Sequence, residues 1–223
     1  MLPRWSETTA VFGGTFDPPH VGHRIAAQGL LTQPGVSRVL VIPTGISPLK
    51  TGFTPAVHRL EMARLGFTRE AQIDDREVRF AEAAPRQPTY TFDTLGKLRQ
   101  EFPRLAFALG TDQLPTFPRW HRFPEILSLC HWIILDRAGQ NETEKFLRAY
   151  TGSGLLTPIP ASLPTWKIAQ ATTFLTLVPT SAPELSSTLL RAEMQRTGKL
   201  PATGLAPEVA AYIRRHHLFG VQE

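Results

Sequence analysis

The stretch Val11-Phe12-Gly13-Gly14-Thr15-Phe16-Asp17-Pro18-Pro19-His20-Val21-Gly22-His23 constrains the fold more than any other part of the chain. Thr9-Ala10-Val11-Phe12 is short and apolar, and turn residues end it, as in a buried strand. Gly13 and Gly14 lack a Cβ, so a sharp turn is expected there, with room for a ligand against the amides. Asp17-Pro18-Pro19 cannot be helical, because the first proline disfavours the α region at Asp17 and neither proline has an N–H. The next helix is therefore expected to begin between His20 and Gly22 and to run through Leu31. A strand, a glycine corner and a helix start is an arrangement in which backbone comes close to phosphate.

His20 and His23 are three residues apart and share one helical face. A helix N-terminus carries roughly half a positive charge. Two imidazole donors added there make a site for a polyanion. No third ligand completes a metal set around the pair, so no protein metal ligand is expected.

The same alternation continues down the chain. Val36 to Ile42 is a second strand, so a right-handed crossover and a parallel sheet are expected. Lys50 lies in the proline-marked loop after it and is a candidate phosphate contact; a solvated loop lysine is the plainer reading. Thr54-Pro55 opens a helix with Val57, Leu60, Ala63 and Phe67 on its packed face and His58 and Arg59 toward solvent. A short strand is expected at Val78-Arg79-Phe80. Thr89-Tyr90-Thr91 places hydroxyls just before a helix over Phe92 to Gln100, suited either to a bound phosphate or carboxylate or to simple capping by Thr91. Leu105 to Leu109 is a buried strand, with Gly110 and Asp112 at its carboxyl end. Trp120 follows in a basic loop, as core or as a stacking platform. Cys130 to Leu135 is a fifth strand. A capped helix follows over Asn141 to Leu147, then irregular structure over Gly152 to Pro164. Phe174 to Val178 is the last strand. Ser186, Ser187 and Thr188 open a helix that carries Arg191 one turn on, suited to the β- and γ-phosphates of a triphosphate. Gly198 stops that helix. In the final helix Val209 and Ile213 pack inward, with His216 or His217 beside them. The fold expected is α/β: a Rossmann-like, doubly wound parallel sheet over residues 1–180, with a small C-terminal helical subdomain over 181–223.

The segment GGTFDPPHVGH resembles the signature of the nucleotidylyltransferase superfamily, and its longer form is similar to that of the bacterial nicotinate mononucleotide adenylyltransferases. Further likenesses follow in the family's order. They are Val41-Ile42-Pro43-Thr44-Gly45 with Lys50, Asp75-Arg76-Glu77, Pro88 to Leu95, Leu109 to Leu114 with Trp120, and Leu185 to Arg191. The family often has histidine where this chain has Leu49. The resemblance implies transfer of adenylate from ATP to nicotinate mononucleotide, giving deamido-NAD and pyrophosphate in NAD biosynthesis. It implies that His20 and His23 are catalytic. It assigns ATP to Gly13, Gly14, Thr15, Phe16, Lys50, Gly110, Asp112, Ser186, Ser187, Thr188 and Arg191. It assigns the mononucleotide to Thr89, Tyr90, Thr91, Asp112 and Trp120, with Trp120 stacked on the pyridine ring. Magnesium is expected mainly on the ATP phosphates. Phosphate charge is expected to promote histidine protonation when ATP binds.

Lys+Arg outnumber Asp+Glu by 24 to 19, a balance that favours anionic ligands without choosing among them. One cysteine excludes an internal disulfide; Cys130, beside an apolar run, reads as core. No signal-peptide h-region or membrane-length apolar run is evident, and a cytoplasmic enzyme is expected. Basic residues are scattered and no RNA-binding signature appears, so no nucleic-acid partner is expected. Homo-oligomerisation stays open. So do nicotinamide mononucleotide or another phosphate acceptor as substrate, and a non-catalytic nucleotide- or RNA-binding role.

Overall fold

Apolar runs and turn residues alternate into strands and helices in the order β1 (Thr8–Gly14), α1 (Val21–Leu31), β2 (Val36–Pro43), α2 (Ala56–Gly66), β3 (Gln72–Ile73), α3 (Arg76–Ala83), α4 (Thr91–Glu101), β4 (Leu105–Gly110), β5 (His131–Asp136), α5 (Asn141–Gly152), β6 (Leu156–Ile159), β7 (Thr165–Ile168), β8 (Phe174–Pro179), α6 (Ser187–Thr197) and α7 (Pro207–Arg215). This computed structural model describes residues 7–49, 51–67, 71–136, 141–183 and 185–222. Lys50 lies outside the described residues.

The strands form one sheet in the order β3-β2-β1-β4-β5-β8-β7-β6. Pairing is parallel for β2 with β3, β1 with β4, β4 with β5, and β5 with β8; β7 is antiparallel to both β6 and β8. Parallel strands buried on both faces read as continuous apolar runs. Leu105 to Leu109 and Trp132 to Leu135 are such runs, and every residue in them is buried. The order 3-2-1-4-5 reverses at the β1–β4 pair, as in doubly wound sheets.

The chain divides into two compact units. One comprises Met1–Phe12, Leu30–Val39 and Tyr90–Ser181, the other Gly13–Gly29, Leu40–Thr89 and Ala182–Glu223. The core of the first is aromatic: Trp132 has no exposed surface and packs on Phe117 at 4.8 Å and on Phe107 at 5.4 Å between ring centroids. In the second, Met62 of α2 packs with Leu190 and Met194 of α6, Val209 and Ile213 of α7, and Val221. Gly198 takes the left-handed conformation (φ 67°) that ends α6, as its position predicts. Cys130 is buried, and burial pushes its thiol well up, out of reach of nucleophilic chemistry.

Several local expectations are corrected. Val78-Arg79-Phe80 is not a strand but part of α3; Glu77, Val78 and Ala81 are its buried residues, a helical spacing. The stretch from Gly152 to Pro164 contains β6, which pairs with β7 as a hairpin. α2 begins after Pro55, leaving Thr54 outside the cap position, and Val57 is exposed. Thr91 is the first residue of α4 and Tyr90 holds its cap position, so Thr91 does not cap the helix. His216 and His217 are exposed rather than packed inward. Arg59 does not face solvent: it is 2% exposed.

Candidate active site

The glycines at the end of β1 are strand, not turn. The chain turns two residues later, at Phe16, whose φ is 51°. Gly14 is needed for another reason. A Cβ there would lie 2.8 Å from the Phe16 ring, which folds back over it. Phe16 is buried and meets His23 edge-on at 5.1 Å and Phe67 at 5.2 Å. Asp17-Pro18 is cis. The corner is thus set by side-chain packing around a left-handed Phe16, which a non-glycine residue adopts only when its surroundings hold it there.

His20 directly precedes α1 and is buried; His23 lies in its first turn. The His20 N–H donates to His23 Nδ1 at 3.2 Å, and the His23 N–H donates to His20 Nδ1 at 3.3 Å. The rings stack with centroids 3.7 Å apart and planes 19° apart. This is the reciprocal logic of a capping box, with imidazoles in place of hydroxyl and carboxylate. It also assigns the tautomer. Each Nδ1 accepts, so each neutral ring carries its proton on Nε2. A second proton would set an Nδ1–H against a backbone N–H and stack two cations. Donation from the Nε2–H groups needs no second proton. Gly22 keeps the pair close: a Cβ there would lie 3.1 Å from His20 Nδ1 and Cε1.

The start of α6 belongs to the same unit. Ser187 Oγ donates to the Pro18 carbonyl at 2.9 Å, and Arg191 donates to the Asp17 carbonyl at 2.7 Å and to Thr188 Oγ1 at 3.4 Å. Ser186 occupies the cap position, yet its hydroxyl makes no capping bond. Thr188 is exposed. A helix start without a side-chain cap, beside two Nε2–H donors and a guanidinium, suits a polyanion. The Asp17 carboxylate is 1% exposed. Its Oδ2 accepts the Thr54 N–H at 3.3 Å, and its Oδ1 has no hydrogen-bond partner.

Thr89 also lies in this unit, but its N–H and its hydroxyl both donate to the Ile46 carbonyl, at 2.9 and 3.2 Å. It ties the turn after β2 rather than presenting a donor there. Sequence reading missed Arg59. Its Nε donates to the Thr54 carbonyl (2.9 Å) and its terminal nitrogens to the carbonyls of Thr15 (3.0 Å) and Gly45 (2.7 Å). Spacing carried a signal: Arg59, Met62 and Ala63 fall at i, i+3 and i+4 and are all buried in α2.

The remaining site residues lie in the other unit. Gly110 closes β4, and a Cβ there would lie 2.4 Å from Asp112 Oδ1, so only glycine lets the exposed Asp112 carboxylate fold back on the strand end. Trp120 is half-buried and edge-on to Phe117 at 5.0 Å and Phe107 at 5.9 Å. Tyr90 stacks on His121 at 4.3 Å, and the Arg122 guanidinium sits 4.0 Å over the Phe92 ring. The four form an aromatic and basic platform at the head of α4.

A cytidylyltransferase-like family model matches residues 11–193. A probable nicotinate-nucleotide adenylyltransferase of Dehalococcoides mccartyi is 33% identical over 219 residues, covering 95% of this chain and 96% of that protein. The chain belongs to the nicotinate-nucleotide adenylyltransferases of the cytidylyltransferase-like family. The nicotinate-nucleotide adenylyltransferase of Bacillus subtilis is 35% identical over 133 residues, covering 58% of this chain and 69% of that one. The fold matches that of Plasmodium falciparum nicotinic acid mononucleotide adenylyltransferase, solved with APC, with a TM-score of 0.68, 16% identity and coverage of 97% and 98% of the two chains.

Proposed function

We propose that the protein transfers the adenylyl group of ATP to nicotinate mononucleotide, as its relatives' names state for them, releasing pyrophosphate and deamido-NAD in NAD biosynthesis. The observation that carries this reading is the reciprocal His20–His23 pair at a helix start, in which each ring's Nδ1 accepts a backbone N–H and donation falls to Nε2. The 5′-phosphate oxygen of the mononucleotide attacks the α-phosphorus of ATP, and the bond to the bridging oxygen of pyrophosphate breaks. No proton need move, so the protein contributes position and charge neutralisation. His20 and His23 hold phosphate oxygens as negative charge accumulates. Gly13, Gly14, Thr15 and Phe16 bring backbone close to the nucleotide. Lys50, Ser186, Ser187, Thr188 and Arg191 hold the departing pyrophosphate. Tyr90, Thr91 and Trp120 take the mononucleotide, Gly110 and Asp112 meet both substrates, and Thr89 acts by holding the turn after β2.

Magnesium fits this reading as an ion carried by the substrate. Both histidine Nδ1 atoms accept backbone N–H groups, and no group of three or more His, Cys, Asp or Glu among the described residues could hold a metal. An ion held by phosphate oxygens and water would neutralise charge on the leaving group. The reading includes a cytoplasmic location for the enzyme. No described helix is long and apolar enough to cross a membrane.

The test is pyrophosphate release from ATP with nicotinate mononucleotide, nicotinamide mononucleotide and phosphopantetheine as acceptors. The reading expects release with the first and a lower kcat/KM with the others. Salt-sensitive RNA affinity without pyrophosphate release would replace it with the RNA-binding alternative.

A further inference from the structure

Arg59 is the one guanidinium among the described residues that is buried. Its three hydrogen bonds reach three separate segments: Thr15 after β1, Gly45 after β2, and Thr54 ahead of α2. The segments are also joined around it. Thr44 N–H donates to the Gly14 carbonyl at 2.9 Å, Thr54 N–H to Asp17 Oδ2, and Gly45 N–H to Glu77 Oε2 at 3.4 Å. A Cβ on Gly45 would lie 2.2 Å from the Glu77 carbonyl oxygen, so this turn has no room to shift. Thr15 is one residue before the left-handed Phe16, whose ring meets His23. Burial lowers the affinity of the Arg59 guanidinium for its proton, and the carboxylates of Asp17 and Glu77 partly offset this. Nothing in this web touches solvent enough to be a surface ion pair.

We propose that Arg59 is a positioning residue: by holding the Thr15, Gly45 and Thr54 carbonyls on one planar fork it fixes the Phe16 corner, and through it the His20–His23 donor pair, in the geometry that serves the transferring phosphate. A planar guanidinium donates in three directions within one plane, which an ammonium cannot reproduce. The inference rests on the adenylyl-transfer reading for its kinetic effect, but not for its structural one.

The experiment uses the full chain with Arg59→Lys and Arg59→Met, each assayed well below its own melting temperature. Arg59→Lys keeps the charge and loses the fork; Arg59→Met loses both. Displacement of reacting groups by about an ångström typically costs about 10²-fold in rate. Arg59→Met is expected to lose about that in kcat with KM for the mononucleotide nearly unchanged, and Arg59→Lys to fall between it and the parent. In parallel, ¹⁵N spectra of the histidine rings should show the fixed Nε2–H tautomer in the parent and a mixture of tautomers at His20 and His23 in Arg59→Met. A folded variant with kcat within about threefold of the parent and unchanged ring signals overturns the proposal. So does failure of both variants to fold, which makes Arg59 a stability element alone. If the parent releases no pyrophosphate, the adenylyl-transfer reading fails by itself, and the ring spectra still decide whether Arg59 sets the corner.

Discussion

His20 and His23 cap each other: each backbone N–H donates to the other ring's Nδ1, at 3.2 and 3.3 Å, with the rings stacked at 3.7 Å. One interaction thus performs two tasks. It satisfies the His20 N–H ahead of α1, while the His23 N–H is shared with the His20 carbonyl at 2.9 Å, and it favours Nε2–H on both rings.

The two tasks can be separated by substitution. Asparagine at position 20 keeps an acceptor near the Nδ1 position and removes the Nε2 donor; alanine at position 23 removes both. His20→Asn should retain stability and lose on the order of 10²–10³ in kcat, the usual cost of one preorganised donor. His23→Ala should lose at least as much and also about 1 kcal/mol of stability with the cap. Steady-state kinetics and thermal melts on both variants check this. A loss of only a few-fold in His23→Ala removes His23 from the mechanism.

Glycines around the site differ in what they tolerate. At Gly22 the nearest atoms to an added Cβ are a ring edge at 3.1 Å and the Pro183 carbonyl at 3.3 Å, and a ring can give slightly. At Gly45 the nearest atom is the Glu77 backbone oxygen at 2.2 Å, which cannot. Gly22→Ala should fold normally and lose about tenfold in kcat through a displaced His20. Gly45→Ala should lose about 1–3 kcal/mol of stability, as overpacking does. Denaturant melts rank the two. Equal stability would show that the turn after β2 is looser than its contacts imply.

The sheet and the start of α1 were legible because both follow local rules. Parallel strands read as unbroken apolar runs, and the proline pair fixes where α1 can start. What was not legible depends on partners distant in sequence. Val78 sits among residues that alternate poorly either way, and only packing on a helical spacing makes α3. Phe16 reads as an apolar loop residue, and its left-handed turn is set by Gly14, His23 and Phe67 together. Arg59 is charged, so binary patterning sends it to the surface; three carbonyls from three segments reverse that. The histidine tautomers are likewise invisible in sequence, since spacing gives a shared face but not which nitrogen accepts.

Trp120 sits half in the core, edge-on to Phe107 and Phe117. Substitution should therefore show two effects. Trp120→Leu should raise KM for the mononucleotide about tenfold, the scale of a lost ring–ring contact, and leave KM for ATP nearly unchanged. It should also lower the melting temperature, because those edge contacts go with it. A change in stability with both KM values intact would reassign Trp120 to packing alone.

His131 supplies a pH dependence of stability with a definite sign. Its Nδ1 accepts the Phe174 N–H at 3.2 Å, and burial holds the imidazole below its ordinary value of 6.5. Above pH 6.5 the ring is neutral in both the native and unfolded chains, and it contributes no slope. As pH falls below 6.5 the unfolded chain takes up a proton that the native protein resists. Unfolding then binds protons, so stability declines toward the depressed native value, with a limiting slope of about 1.4 kcal/mol per pH unit. His131→Asn keeps an acceptor for the Phe174 N–H and cannot titrate. Its stability should decline less than the parent's between pH 7 and pH 5, as read from urea midpoints at each pH. Parallel pH profiles in the two proteins would mean that acid sensitivity in this range arises elsewhere.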